Sequence, residues 1–256
     1  MAEQQIPATA LVTGAALRLG RAIALDLAKQ GWRIGVHYQT STADANTLVD
    51  EIERLGFKAV ALKADLTCED QLQGLVHGCA DALGAPTCLI NNAARFEWDS
   101  PHTLDWAGWQ AELDVNLRAP IFLTQAFART LPDDASGCVI NMIDQRVWRL
   151  TPEFFSYTIA KSALWTATRM LAQALAPRIR VNALGPGPVL PSRQQSETDF
   201  ERECHSTLLG RGATVEEVCR AARFLLEMPS VTGQMIALDG GQHLLWQSHY
   251  DSKTTE

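Results

Sequence analysis

The sequence predicts a doubly wound α/β fold of the Rossmann type, with a mostly parallel seven-stranded sheet covered by helices on both faces. Three observations carry that expectation. Short apolar runs alternate with longer amphipathic segments along almost the whole chain. Several of those runs end in TG, NNA or GPG, small and polar endings suited to a sheet edge that receives a ligand. The 256 residues are 46% hydrophobic and 20% charged, enough to fill one sizeable core.

The elements follow in chain order. TALVTG, from Thr9, is an apolar run closed by glycine, and LGRAIALDLAKQG places Ile23, Leu25, Leu27 and Ala28 on a helical face. RIGVHY with ADANTLVDEIERLG repeats the unit, as does KAVALKADL with EDQLQGLVHGCADALG. TCLINNAA gives the fourth strand, followed by a helical region through Leu113 to Leu131. GCVINMI precedes a helix from about Ser156 to Leu175, RIRVNALGPG is the sixth strand, and a short helix and MIALDGG complete the set. Proline and glycine cluster only in LGPGPVLPS, and the polar run behind it reads as a mobile substrate flap at about 188–212. One domain over 1–256 is expected, with 247–256 as a frayed tail.

Composition narrows the function. A formal net charge of −7 and a pI near 5.4 provide no positive field for phosphate backbones, so nucleic acid is not an expected partner. Six scattered cysteines form no CxxC pair and lie in no zinc pattern, which suits a reducing cytoplasm and no metal. The start MAEQQIPATALVTG has no basic lead, and no apolar stretch reaches about 18 residues, so neither secretion nor membrane insertion is expected.

Ligands of open parallel sheets collect at the carboxyl ends of strands, and TGAALRLG lies at the first such end. Gly14 and Gly20 permit a tight turn and close approach to a helix start whose free N–H groups suit a pyrophosphate. Arg18, beside Leu19, is a cation able to pair with phosphate or simply a solvated arginine. After the second strand, His37, Tyr38, Gln39, Thr40 and Ser41 offer donors and no carboxylate, the first acid being Asp44. An NAD ribose calls for an acid there, so the run favours NADP over NAD. Asp65 and Leu66 suit an adenine edge, or Asp65 a helix cap.

Tyr157 and Lys161 are four residues apart, which on a helix puts them one turn apart on one face. The lysine is expected to favour phenolate and draw the tyrosine down from its usual pKa near about 10, towards acid–base work at neutral pH. The pair follows the fifth strand, TG the first and NNA the fourth, and that agreement separates it from chance spacing.

At this point the chain resembles the short-chain dehydrogenase/reductase family, over roughly Ala8 to Leu244. The residues that carry the resemblance are TGAALRLG, Ala64-Asp65-Leu66, Asn91 to Ala94, Asn116, YTIAK from Tyr157 to Lys161, Gly185 to Gly187, and Leu238 to Gly241. The resemblance implies that Tyr157 is the proton donor, that Lys161 also holds the nicotinamide ribose, and that Asn116 fixes a water in a proton relay. It further implies that Asn92 and Ala93 line the cofactor site, that Pro186 and Gly187 pass near the carboxamide, and that the assembly is a homotetramer. The family pattern departs at Arg18, where a glycine is usual, and at Asp144, thirteen residues before Tyr157, where a serine is usual.

Serine donates a hydrogen bond to a carbonyl oxygen that gains charge, whereas an ionised aspartate only accepts and repels that charge. Simple ketone reduction is therefore disfavoured, and a substrate with N–H donors beside a reducible C=N bond, such as a pterin, is favoured. Further stretches agree. TGAALRLG, His37-Tyr38, NNAARF, Asp144 with Tyr157, and LDGGQH are similar to the pteridine reductase and dihydromonapterin reductase branch. By that resemblance Phe96 stacks the pterin against nicotinamide and Arg18 bridges pyrophosphate and substrate; the arginine this branch tends to carry after the second strand is Thr40 here. Trp148 and Phe154-Phe155 wall a pocket or belong to core or subunit contact. Arg95 and Arg146 meet an acidic substrate tail or stay solvated, and His243 completes a neighbour's pocket or sits on an exposed loop. The expected function is NADPH-dependent reduction of a dihydropterin or dihydrofolate-like C=N bond. The competing expectations are a carbonyl or 3-oxoacyl reductase with Asp144 protonated or turned away, and an idle sensor of NADP(H).

Overall fold

The computed structural model describes residues 8–192 and 195–246, so the tail expected at 247–256 lies outside the described residues. Seven strands form one sheet: β1 (Thr9–Val12), β2 (Arg33–Tyr38), β3 (Ala59–Lys63), β4 (Cys88–Asn91), β5 (Gly137–Met142), β6 (Ile179–Pro186) and β7 (Met235–Leu238). Their order is β3-β2-β1-β4-β5-β6-β7, and every pairing is parallel, where a mostly parallel sheet was expected. The order reverses between β1 and β4, so a crevice opens at the carboxyl ends of those two strands.

Among the described residues eight α-helices connect the strands: α1 (Arg18–Lys29), α2 (Thr42–Arg54), α3 (Glu69–Leu83), α4 (Trp106–Leu113), α5 (Ala119–Thr130), α6 (Phe155–Leu175), α7 (Glu197–His205) and α8 (Val215–Glu227). Side chains alternate across the sheet and feed two cores. Ala10 and Val12 face the helices α1, α2 and α8, whereas Leu11 between them faces α3 and α5. Burial on both faces is why these strands read as unbroken apolar runs. None of the described helices is long and apolar enough to cross a membrane.

Two elements differ from the sequence expectation. The helical region after β4 is interrupted by a π-helical turn, Asp114–Arg118, in which Ala119 N–H bonds back to Asp114 O. Pro120 has no N–H to give the Asn116 carbonyl in an α pattern, so the helix widens at that point. Within the expected flap, Glu197–His205 forms α7, with the Ser196 hydroxyl accepting from Asp199 N–H at 3.1 Å. Gln195 and Gln242 both donate to Glu203 of that helix, at 2.9 and 3.1 Å, tying it to the end of the sheet.

A buried polar ladder ties β4 and β5 to α6. Asn91 Nδ2 donates to Asn141 Oδ1 at 2.8 Å, directly across β4 and β5, and Asn141 Nδ2 donates to Thr168 Oγ1 on α6 at 2.9 Å. Asn141 and Thr168 are fully buried, so loss of one partner strands the others away from water. Asn141→Ala is therefore expected to lower the unfolding free energy by about 2 kcal/mol in urea titration; a change within about 0.5 kcal/mol would show that the ladder is dispensable.

Candidate active site

The first turn builds its shape from glycines. Gly14 has φ +61°, a region that excludes most side chains, and a Cβ on it would stand 3.0 Å from the Ala93 backbone. A Cβ on Gly20 would lie 2.3 Å from the Gly14 carbonyl oxygen and 2.4 Å from Asn92 Nδ2, so only glycine fits. Arg18 also has a positive φ, of 53°, which explains why glycine is at home there; its guanidinium donates to Leu190 O at 3.4 Å, reaching the segment beyond β6. Leu17, at the start of α1, supplies no side-chain cap to the first-turn N–H groups, and Leu19 leans on the core beneath. Thr13 links this turn to β4, its hydroxyl accepting from Asn92 and Ala93 N–H at 2.9 and 3.0 Å. Asn92 Nδ2 donates to the Thr13 and Gly14 carbonyls at 2.8 and 3.2 Å, so its side chain shapes the site rather than facing into it.

His37 corrects the sequence expectation of a cofactor contact. Its ring is 2% exposed; Nδ1 accepts from Gly14 N–H at 3.0 Å, and Nε2 faces Ala64 O at 3.2 Å and must donate. Both nitrogens are used inside the protein, and the ring is a brace between β1, β2 and the end of β3. Leu66 is likewise a core side chain, 6% exposed. Asp65 accepts at one oxygen from the Thr67 N–H and hydroxyl, at 2.9 and 2.8 Å, bonds that hold its carboxyl below the usual range. Tyr38 is half-buried against the core, Thr40 is exposed and Ser41 half-buried at the start of α2, and these last two remain accessible to a ligand. On the other side, β6 ends at Pro186, and a Cβ on Gly187 would meet Asp239 at 2.7 Å.

The reactive side chains meet at the end of β5. Asp144 lies in extended backbone, and its Oδ1 accepts from Arg146 N–H at 2.8 Å while Oδ2 accepts from the Tyr157 hydroxyl at 3.1 Å. Burial raises the Asp144 carboxyl above the ordinary range, against the pull of the Arg146 N–H, the Arg146 cation and Lys161. Lys161 is 2% exposed, donates to Met142 O at 2.7 Å and stands 5.6 Å from the centre of the Tyr157 ring. Burial brings its ammonium down to about 8. The expected lowering of Tyr157 by lysine is not what the geometry gives. Burial, then the Asp144 charge and its hydrogen bond, push Tyr157 well above the ordinary phenol range, while Lys161 donates to the Met142 carbonyl.

Phe96 stands at this cluster, its ring edge-on to Tyr157 with centres 4.7 Å apart and stacked on Phe154 at 4.2 Å. Phe154 holds a left-handed backbone, φ +51°, and carries the Arg146 guanidinium 4.8 Å over its ring. Arg146 is thus seated on an aromatic face and donates to Thr151 Oγ1 at 3.3 Å. Phe154 offers α6 no side-chain cap; Asp99 supplies it, accepting from Ser156 N–H and from the Ser156 hydroxyl. Trp148 packs on Trp165 and on His243, and His243 Nδ1 pairs with Asp239 at 2.7 Å within the same chain. Asn116, fully buried, donates through Nδ2 to Arg95 O at 2.9 Å and to Glu112, while its Oδ1 is buried without a protein partner.

The chain and its fold have known counterparts. A family model described as enoyl-(acyl carrier protein) reductase matches residues 14–243. The chain belongs to the short-chain dehydrogenase/reductase family. Among solved members, the FolM alternative dihydrofolate reductase 1 of Brucella suis, crystallised with NADP, is 47% identical, with 94% of this chain and 97% of that one covered and a TM-score of 0.92. The same enzyme of Brucella canis, also with NADP, is 45% identical over 98% and 99% of the two chains, with a TM-score of 0.93. A 3-oxoacyl-[acyl-carrier-protein] reductase of Synechocystis is 31% identical over 236 residues, 91% of this chain and 95% of its own. As a family member the chain is an NAD(P)H-dependent oxidoreductase, and its pterin-reductase-like features agree with the two Brucella structures.

Sequence reasoning passed over Glu112, Asp99 and Thr13. Thr13 stands inside the TG motif, and Glu112 lies four residues before Asn116, a helical spacing that could have marked it; Asp99 acts on Ser156, a partner that only the fold brings near.

The His37 brace yields a stability test. Burial depresses its pKa from 6.5 to about 4, so the unfolded chain binds the proton first. Stability is whole above pH 6.5 and is lost as pH falls towards 4, by about 3 kcal/mol in total. Denaturant titration across that window is expected to lose this slope in His37→Gln; an equal slope in both proteins would remove the assignment.

Proposed function

We propose that the protein is an NADPH-dependent reductase of pterin-type C=N bonds, acting on a dihydropterin or dihydrofolate-like substrate, with Tyr157 as proton donor. The observation that carries this reading is the bond from the Tyr157 hydroxyl to Asp144 Oδ2, at 3.1 Å, with Phe96 beside it. Each Asp144 oxygen already accepts one hydrogen bond and keeps a lone pair free. Those lone pairs suit the adjacent N–H donors of an aminopyrimidine edge and repel the growing negative oxygen of a reduced ketone. Phe154 covers one face of Phe96, so a flat heteroaromatic stacks on the opposite face, with a gain of about 0.5–1.5 kcal/mol beyond area burial.

The residues present fit a nicotinamide dinucleotide phosphate. The uncapped start of α1 with Gly14, Arg18, Leu19 and Gly20 would hold the pyrophosphate, and Thr40 and Ser41 the 2′-phosphate. Asp65 would border the adenine, Ala93 the middle of the groove, Lys161 the nicotinamide ribose, and Pro186 with Gly187 the carboxamide. When bound, the cofactor supplies the hydride. Tyr157, held protonated by burial and by Asp144, supplies the proton to nitrogen. Lys161 lies behind the ring to stabilise the phenolate left afterwards, and Asn116 turns its unpartnered Oδ1 into the interior as an acceptor for relay water. A homotetramer and a single domain are part of this reading. The Brucella dihydrofolate reductases, with NADP, support it over the carbonyl alternative, which the Synechocystis relative keeps in play.

The test is NADPH oxidation by purified protein, followed by absorbance, with dihydrobiopterin, dihydromonapterin and dihydrofolate beside ketones, oxoacyl thioesters and quinones. Turnover with the pterins or folate only is expected. Turnover confined to the carbonyl panel would reject the reading, and none with any substrate would favour the sensor.

A further inference from the structure

Glu112 lies on α4, one turn before Asn116, and is 2% exposed. The mechanism above does not use it. Its Oε2 accepts from Asn116 Nδ2 at 2.6 Å; its Oε1 accepts from Glu97 N–H at 3.1 Å and has Arg95 Nε 3.4 Å away. The second hydrogen of Asn116 Nδ2 goes to Arg95 O. A backbone carbonyl only accepts, so this bond fixes which end of the amide is nitrogen, and the acceptor Oδ1 is left on the other side, buried and unpartnered. The Glu112 carboxyl also borders a cavity of about 150 Å³ lined by Arg95, Glu97, Asp99, Asp105 and Ser156. Glu97 and Asp105 are exposed, so the cavity gives protons a way to Glu112 from the surface.

We infer that Glu112 is a positioning residue of the proton-transfer machinery, locking the Asn116 amide and setting a surface-connected carboxyl behind Tyr157 and Lys161, so that the proton-donating step responds to its charge. The inference rests on the roles proposed for Tyr157, Lys161 and Asn116, and not on the identity of the substrate.

The charges around Glu112 give this a direction. Burial raises its carboxyl from 4.5 to about 7; the Glu97 N–H and the Arg95 cation oppose the rise, and the Asp99 and Glu97 charges add to it. Its charge is felt by Tyr157 and Lys161 on α6, and as an anion it raises both. Ionised Glu112 therefore keeps the donor pair protonated to higher pH, and removing its charge releases their protons earlier.

Glu112→Gln keeps the shape and an acceptor for Asn116 while removing the charge. With saturating NADPH and whichever substrate of the panel is turned over, the alkaline fall of kcat is expected to move down by about one pH unit, with KM within about twofold. An unmoved alkaline limb would overturn the inference. A second readout needs no turnover: ¹³C NMR of the lysine ε-carbons, in which Lys161 titrates near 8 in the natural protein and about one unit lower in Glu112→Gln. An unchanged Lys161 titration would overturn it too. Absence of pterin turnover beside a shifted Lys161 would remove the substrate reading and leave this one standing. Should Glu112→Gln fail to fold, Glu112→Asp keeps the charge and breaks the contact with Asn116. It is then expected to lower kcat about tenfold at an unmoved alkaline limb, and an unaltered kcat would overturn the role.

Discussion

Parallel strands cannot be joined by tight turns, and a sheet made only of them must return each time through a covering helix. That constraint sends every strand's carboxyl end to the same edge. The site is assembled there: Gly14 after β1, Asn92 and Ala93 after β4, Asp144 after β5, Gly187 after β6 and Asp239 after β7. No single segment holds enough chemistry to act alone. The edge accumulates it, and the Asn91–Asn141–Thr168 ladder keeps α6, which bears Tyr157 and Lys161, in register with β4 and β5.

Within that edge, desolvation decides the proton inventory. Tyr157, Lys161, Asp144 and Glu112 are all displaced towards their neutral forms by burial. The two carboxyls oppose this for Lys161 and reinforce it for Tyr157. A tyrosine held protonated is the form a reduction consumes, so the environment suits a donor better than a base. The lysine and the tyrosine are consequently not a simple pair in which a cation acidifies its neighbour; the carboxylates set the balance between them.

Much of the fold was legible because the seven strands leave apolar runs, fully buried in β1, β4 and β5, that end in small or polar residues. The π-helical turn was not, since the helical pattern runs on through DVNLRAP and a proline in the next helix's first turn does not by itself mark a widened turn. Helix α7 was hidden by its polarity: none of its residues is buried, so it has no apolar stripe to announce it. In the site, Tyr157, Asp144 and Phe96 were readable as motif residues, and the fold does bring them together. The side-chain directions were not readable. His37 looked like a donor at a strand end yet turns inward to hold Gly14, and Leu66 turns into the core. Asp99 belongs to no motif, because its partner Ser156 is delivered by the fold from 57 residues away, and Glu112, though one turn from Asn116, gave no sign in the sequence that it is buried. Phe154 was readable as an aromatic but not as the ring that takes one face of Phe96.

In the proposed function, the carboxylate at position 144 selects a ring edge over a carbonyl. The most direct measurement compares kcat/KM for a dihydropterin and for a ketone in the natural protein and in Asp144→Ser, with NADPH affinity measured alongside. The ratio is expected to fall by at least about a hundredfold in Asp144→Ser, through lost pterin turnover, while NADPH binding is kept. An unchanged ratio with intact NADPH binding would contradict it, leaving Asp144 as a tolerated substitution in a carbonyl reductase site.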